Sequence, residues 1–156
     1  MSASQIILPA RFKGTIVEEA INLLQQLEHR EELEAIMRKF RRKYSRVTKM
    51  PCTKVAKAFR WLGNRICEVY HVPKPADVIV VSKRVLNCYG NGIIFTSPSI
   101  ISFLHELRHH ILAMRGVAYH NDWEVQKWAI AVFLLGYADQ LPKLRLINNY
   151  WLVRRR

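Results

Sequence analysis

Apolar residues recur at helical spacing through the first half of the chain. Thr15 stands just before Ile16, Val17, Ala20, Ile21, Leu24 and Leu27, and Glu18 follows it by three residues as the partner of a capping box. Leu33, Ile36, Met37 and Phe40 resume the pattern, so residues 15–45 read either as one helix or as two broken near His29. Val55, Phe59, Leu62, Ile66 and Val69 step by four and three, which predicts a helix over residues 53–71, capped by Thr53 and ended by Pro73 and Pro75.

The period changes in the middle of the chain. Residues 77–81 form a short β-branched run and read as a strand. Tyr89-Gly90-Asn91-Gly92 signals a turn, and residues 93–96 read as a second strand. Ser97-Pro98-Ser99 then opens a helix, with the proline in its first turn, and Gly116 stops it. Asn121 or Asp122 caps a further helix to about Ala138, while residues 144–156 are aromatic and basic without a firm period. The expectation is an α+β fold: N-terminal helices, a small sheet of few strands and a two-helix core. A single domain, 1–156, would comprise a basic helical part (1–75), the core (76–140) and a basic aromatic tail (141–156).

The core carries the chemistry. Four of the six histidines, His105, His109, His110 and His120, fall within sixteen residues, and His105-Glu106-Leu107-Arg108-His109 is an HExxH pattern. On a helix, positions i and i+4 share a face, so both imidazoles can reach one zinc ion at about 2.0–2.1 Å. Glu106 flanks that face, where a general base takes the proton of a water polarised by the metal. With six His and nine Glu in the chain, random placement would give about one such pattern in a hundred sequences. A catalytic zinc site needs a third protein ligand. Glu124, fifteen residues past His109 near the start of the next helix, and His120, eleven residues past it in the connecting loop, are the two candidates. His110 is turned away by its i+1 offset, Trp123 and Trp128 read as core aromatics, and Cys88 as a small half-buried residue.

Residues 77–138 resemble the core of zincin metallopeptidases of the gluzincin type, in the order strand, turn, edge strand, HExxH helix, third-ligand helix. The segment from Glu124 to Ala129, followed by Phe133-Leu134-Leu135, is similar to the third-ligand helix of small ImmA/IrrE-like peptidases. That resemblance implies a zincin-like fold and zinc-dependent hydrolysis of a peptide or protein substrate. His105, His109 and Glu124 would be the metal ligands, Glu106 the general base, and residues 92–96 an edge strand that pairs with extended peptide. The stretch from Gly116 to Trp123 is also similar to SprT/Spartan-like proteases, which use a third histidine, here His120, and act on DNA-bound proteins.

Charge adds a second theme. Lys and Arg number 25 against 12 Asp and Glu, a formal net charge of +13. Residues 38–60 contain ten of the cations and no acid, beginning Arg38, Lys39, Arg41, Arg42, Lys43 and Arg46, and residues 154–156 add three arginines. Such runs suit sequence-independent contact with DNA, RNA or a ribonucleoprotein. A catalytically inactive zincin-like module that binds nucleic acid is therefore the alternative to a peptidase. Three cysteines without CxxC spacing point to a reducing, cytoplasmic setting, and no apolar run has the roughly 20 residues that span a bilayer.

Overall fold

The computed structural model describes residues 6–82, 87–147 and 151–154, with the backbone alone for Ile147 and 151–154. Helix α1, Ile16–Leu23, begins where the Thr15 hydroxyl accepts the Val17 N–H at 3.2 Å. It tightens into a 3₁₀ turn, and His29 then takes a left-handed φ of 60° before α2, Arg30–Lys43. The apolar pattern of the first forty residues is thus two helices, and the break falls at His29. Leu33, Met37 and Phe40 of α2 are buried, whereas Arg38, Lys39, Arg42 and Lys43 are exposed.

Helix α3, Cys52–Val69, starts one residue before Thr53 and stops two residues short of the expected end. Pro51 takes the capping position instead of Thr53, because its fixed φ holds the chain extended while its carbonyl accepts from Lys54 and Val55 N–H at 2.9 and 3.0 Å. Past Tyr70, His71 adopts a φ of 56°, which turns the chain toward the strands.

Strands β1 (Asp77–Val80), β2 (Cys88–Gly90) and β3 (Ile93–Thr96) form one sheet in the order β1-β3-β2. Asn91 and Gly92 both have positive φ, 53° and 78°, and make the two-residue turn that folds β2 back on β3. β1 covers the other side of β3 in parallel, Asp77 opposite Ile93 through Val80 opposite Thr96. The expectation that residues 92–96 form an edge strand is therefore corrected. β3 is central, and the three-residue β2 is the edge beside it.

Helix α4, Ile100–Met114, is capped by the Ser99 hydroxyl, which accepts the Ser102 N–H at 3.3 Å. Pro98 precedes that cap instead of occupying the first turn. Gly116, at φ 79°, reverses the chain after α4. Helix α5, Asp122–Tyr137, is capped by Asn121, whose side chain accepts the Glu124 N–H at 3.1 Å. A 3₁₀ turn leads to an antiparallel hairpin of β4, Leu144–Ile147, and β5, Trp151–Arg154, so the unassigned tail is a second, two-stranded sheet. Arg154 is its last described residue; Arg155 and Arg156 lie outside the described residues.

α5 lies in the middle. It packs on α1, α2 and α4, and one buried apolar cluster runs from Phe12 to Leu144. Among the described residues no helix is long and apolar enough to cross a membrane, and Cys52, Cys67 and Cys88 are all free.

The α2–α5 crossing depends on one glycine. A Cβ on Gly136 would sit 3.0 Å from Met37 Cβ and 3.1 Å from the Met37 carbonyl carbon and oxygen. Gly136→Ala should lower stability by about 1–3 kcal/mol, despite alanine's better helix propensity, because backbone cannot move aside. Gly63→Ala would meet the side chains of Phe103 and Leu107 at 3.1 and 3.6 Å and should be milder, since those can shift. Urea unfolding midpoints of the two variants test this ordering.

Candidate metal centre

α4 and α5 face each other with two residues from each, spaced one helical turn apart: His105 and His109 on α4, Asp122 and Gln126 on α5. Asp122 Oδ1 lies 3.0 Å from His109 Nε2 and 3.6 Å from His105 Nε2. The three donor atoms all fall within 4.8 Å of one another. A tetrahedral zinc with bonds of about 2.0–2.1 Å separates its ligand atoms by about 3.3 Å, the same scale.

Hydrogen bonds on the far sides of both rings set which nitrogen carries the proton. His105 Nδ1 donates to the Gln126 side-chain oxygen at 2.8 Å, and both residues are buried. The Val117 carbonyl can only accept, so His120 Nε2 donates to it at 2.8 Å. In neutral rings His120 Nδ1 then accepts from His109 Nδ1, also at 2.8 Å. A neutral His109 in that tautomer turns its Nε2 lone pair toward Asp122 Oδ1 at 3.0 Å, a contact that becomes favourable when a proton or a metal ion lies between the two. Two imidazole nitrogens and a carboxylate oxygen thus converge in a group that could hold a metal ion. A proton serves this set poorly, because burial pushes His105 down to about 4 and lowers His109 as well, against the pull of Asp122 on both.

The HExxH pattern places its other residues selectively. Leu107 enters the core, and the Arg108 guanidinium lies 5.0 Å above the Trp128 ring. Glu106 is buried, and its Oε2 lies 3.9 Å from His105 Nε2. Burial, with a smaller push from Asp122, raises its carboxyl to about 7.

The third position differs from the sequence expectation. Glu124 is not part of the group: its carboxylate pairs with Lys127 Nζ at 2.7 Å on the exposed side of α5. Two residues along a helix turn a side chain by more than half the circumference, so Asp122 and Glu124 cannot both face α4. His120 sits behind His109 and holds the ring from its Nδ1 side. The sequence reading offers Asp122 only as a capping candidate and does not single out Gln126. Their i, i+4 spacing, matching that of His105 and His109, is the signal that points to them.

His110 faces elsewhere, as its offset predicts. Its Nε2 donates to the Pro73 carbonyl at 2.7 Å while Tyr89 OH bonds its Nδ1 at 2.9 Å, tying α4 to β2. Trp128 is buried, and Trp123 is half-buried with its Nε1 on Glu19 at 3.1 Å. Of the basic residues singled out, Arg41 turns inward to the Asp139 carboxylate and the Gly136 carbonyl, and Arg38 pairs with Glu34 at 3.3 Å. Lys39, Arg42 and Lys43 are exposed on α2, and Arg46 is exposed just beyond it.

Comparison with family models, curated proteins and solved structures finds no match.

Metal content separates the candidate ligands. Asp122→Ala, His105→Ala and His109→Ala should each abolish stoichiometric zinc uptake in an equilibrium dialysis assay, whereas Glu124→Ala should retain it. Gln126→Leu and His120→Ala, which remove only the partner of a ligand, should weaken zinc by about 10–100-fold. Metal-free protein should also show the burial of Glu106 in its pH dependence. Below pH 4.5 the carboxyl is protonated folded and unfolded; between 4.5 and about 7 only the unfolded chain ionises, so stability falls and then levels off. Glu106→Gln removes that loss, so the metal-free variant should exceed wild type by about 2–3 kcal/mol at pH 8 and match it at pH 4. Denaturant titrations at the two pH values read the difference.

Proposed function

We propose that the protein is a zinc-dependent peptidase in which His105, His109 and Asp122 hold the metal and Glu106 is the general base. One observation carries the reading: a buried carboxyl beside three converging metal donors, 3.9 Å from His105 Nε2. Two histidines and one carboxylate also suit iron in oxygenases, so the donor set alone does not choose a reaction. Glu106 favours hydrolysis, because a base held beside the metal serves a water nucleophile and has no such task in oxygen activation.

Zinc bound there would act as a Lewis acid that polarises a carbonyl and acidifies a water. Glu106 accepts a proton from the attacking water as the C–O bond forms. It then passes that proton to the departing amine nitrogen as the C–N bond breaks. Burial near pH 7 suits the return of the proton, and a nearby cation favours the ionised form that starts the cycle. Gln126 and His120 bond the Nδ1 atoms of the two imidazoles, which would leave both Nε2 atoms to the metal.

A peptide substrate is supported by what flanks the centre. Met114, Val117 and Tyr119 are exposed apolar residues in the end of α4 and the loop after it, and the Val117 carbonyl holds His120. Apolar side chains of a bound peptide would find partners there. A second reading, a nucleic-acid- or ribonucleoprotein-binding module without catalysis, is supported by the exposed Lys39, Arg42 and Lys43 on α2. Such contacts would also bring a peptidase to proteins bound on DNA or RNA.

Glu106→Gln should retain one zinc per chain and lose peptide cleavage by at least about a hundredfold. Zinc content and turnover of a mixed peptide library, measured on the same preparation, provide the check. Undiminished cleavage by the variant would overturn the mechanism. Zinc-loaded wild type that cleaves nothing but binds nucleic acid would leave the second reading.

A further inference from the structure

A cavity of about 860 Å³ opens between the end of α2, the start of α4 and the end of α5. It contains none of the metal-centre residues, although Ile101 in its wall is one turn ahead of His105 on α4. Its lining includes three cationic side chains, Arg41, Arg46 and Lys49, and no carboxylate. Arg41 is already compensated by Asp139. Arg46 and Lys49 are exposed and form no ion pair among the described residues. Part of the wall is apolar, with Ile101, Phe133 and Leu144, each largely buried, beside the Tyr137 ring that stacks on Phe133. A lone inorganic anion would leave most of this volume and the apolar wall unused, whereas pockets of this size commonly take a small organic ligand.

We infer that this cavity binds a nucleoside phosphate, with the phosphate at Arg46 and Lys49 and the nucleoside against the apolar wall. The chain reversal that presents these cations is specific. Arg46 has a left-handed φ of 59°, and the 3₁₀ turn Val47–Lys49 follows at once, so both cations belong to one short reversal that lines the cavity. Ser99, which caps α4, also lines it, so the positive end of that helix adds to the same field. The basic run of the sequence therefore has two addresses: an exposed face on α2, and a cavity lined by cations together with apolar and aromatic side chains. Nothing in this site depends on the metal reading.

The same phosphate chemistry could come from a free nucleotide or from the phosphorylated 5′ end of a nucleic-acid strand. Calorimetric titration of the full chain with AMP, adenosine, and a tetranucleotide with and without a 5′-phosphate separates the sources. Binding of AMP at one per chain, lowered about tenfold or more by the double variant Arg46→Glu/Lys49→Glu and unchanged by Lys13→Glu, is the expected result. Both altered residues are exposed, and so is the control Lys13, which lies outside the cavity and the basic run, so each variant should fold; circular dichroism verifies it. Binding confined to the 5′-phosphorylated tetranucleotide with the same dependence on Arg46 and Lys49 equally supports the site and assigns the strand end. No saturable binding of any phosphorylated probe overturns the inference. So does adenosine binding as well as AMP, or an equal loss in Lys13→Glu.

Discussion

The hydrogen bond from His105 Nδ1 to the buried Gln126 oxygen joins the packing of the molecule to its chemistry. Gln126 has 0% exposure on a helix that is otherwise almost wholly apolar along its inner length. An amide left unpaired there would cost about 1–3 kcal/mol, so α5 settles against α4 in the register that supplies its imidazole partner. That register places Asp122, one turn earlier on α5, opposite His109, one turn later on α4. A polar contact in the core thus fixes the position of a carboxylate at the surface. The same contact chooses the tautomer of His105, so helix packing and ligand basicity are set together.

The other helices serve this pair. α1 and α2 close over the opposite side of α5, with Gly136 admitting the α2 backbone and Trp123 anchored on Glu19 of α1. Tyr89 and the Pro73 carbonyl hold His110, which fixes the rotation of α4 from the side facing the sheet. His110 and His105 therefore grip the helix from different faces, and the imidazole of His109 between them has its rear held by His120. Two histidines outside the donor positions, His110 and His120, thus hold the helix and the ring that bring the Nε2 atoms of the other two to Asp122.

Much of this architecture is legible in the residue pattern. The α4 and α5 helices, the Gly116 stop and the HExxH face follow from period and spacing alone, because i, i+4 geometry is local. The break at His29 is ambiguous in sequence, since apolar spacing continues across it while a 3₁₀ turn, an extended Leu27 and the left-handed His29 interrupt the helix. The edge strand is misread for a related reason: Asn91-Gly92 announces a turn, but whether residues 88–90 pair back depends on partners distant in the chain. The third candidate ligand is the most instructive difference. Glu124 follows from a resemblance to third-ligand helices, but a metal group is assembled by the faces its residues occupy, and the crossing of α4 and α5 turns Glu124 away toward Lys127. Asp122 and Gln126 become visible only when two matching one-turn pairs are set against each other.

Net charge shows the same distinction between composition and placement. A chain of +13 opposes any cation at long range, yet salt screens such a field over about 8–10 Å. Within that radius the centre is set by its own groups, and two of these are carboxyls. Asp122 raises the proton affinity of Glu106, which means the two ionised forms repel each other across the site. Protonating Glu106 relieves that repulsion at the cost of its basicity. A metal ion held by Asp122 and the two imidazoles would relieve it while leaving Glu106 ionised, because its charge would lie beside both carboxylates. The burial that makes Glu106 reluctant to ionise alone would then couple its ionisation to the metal.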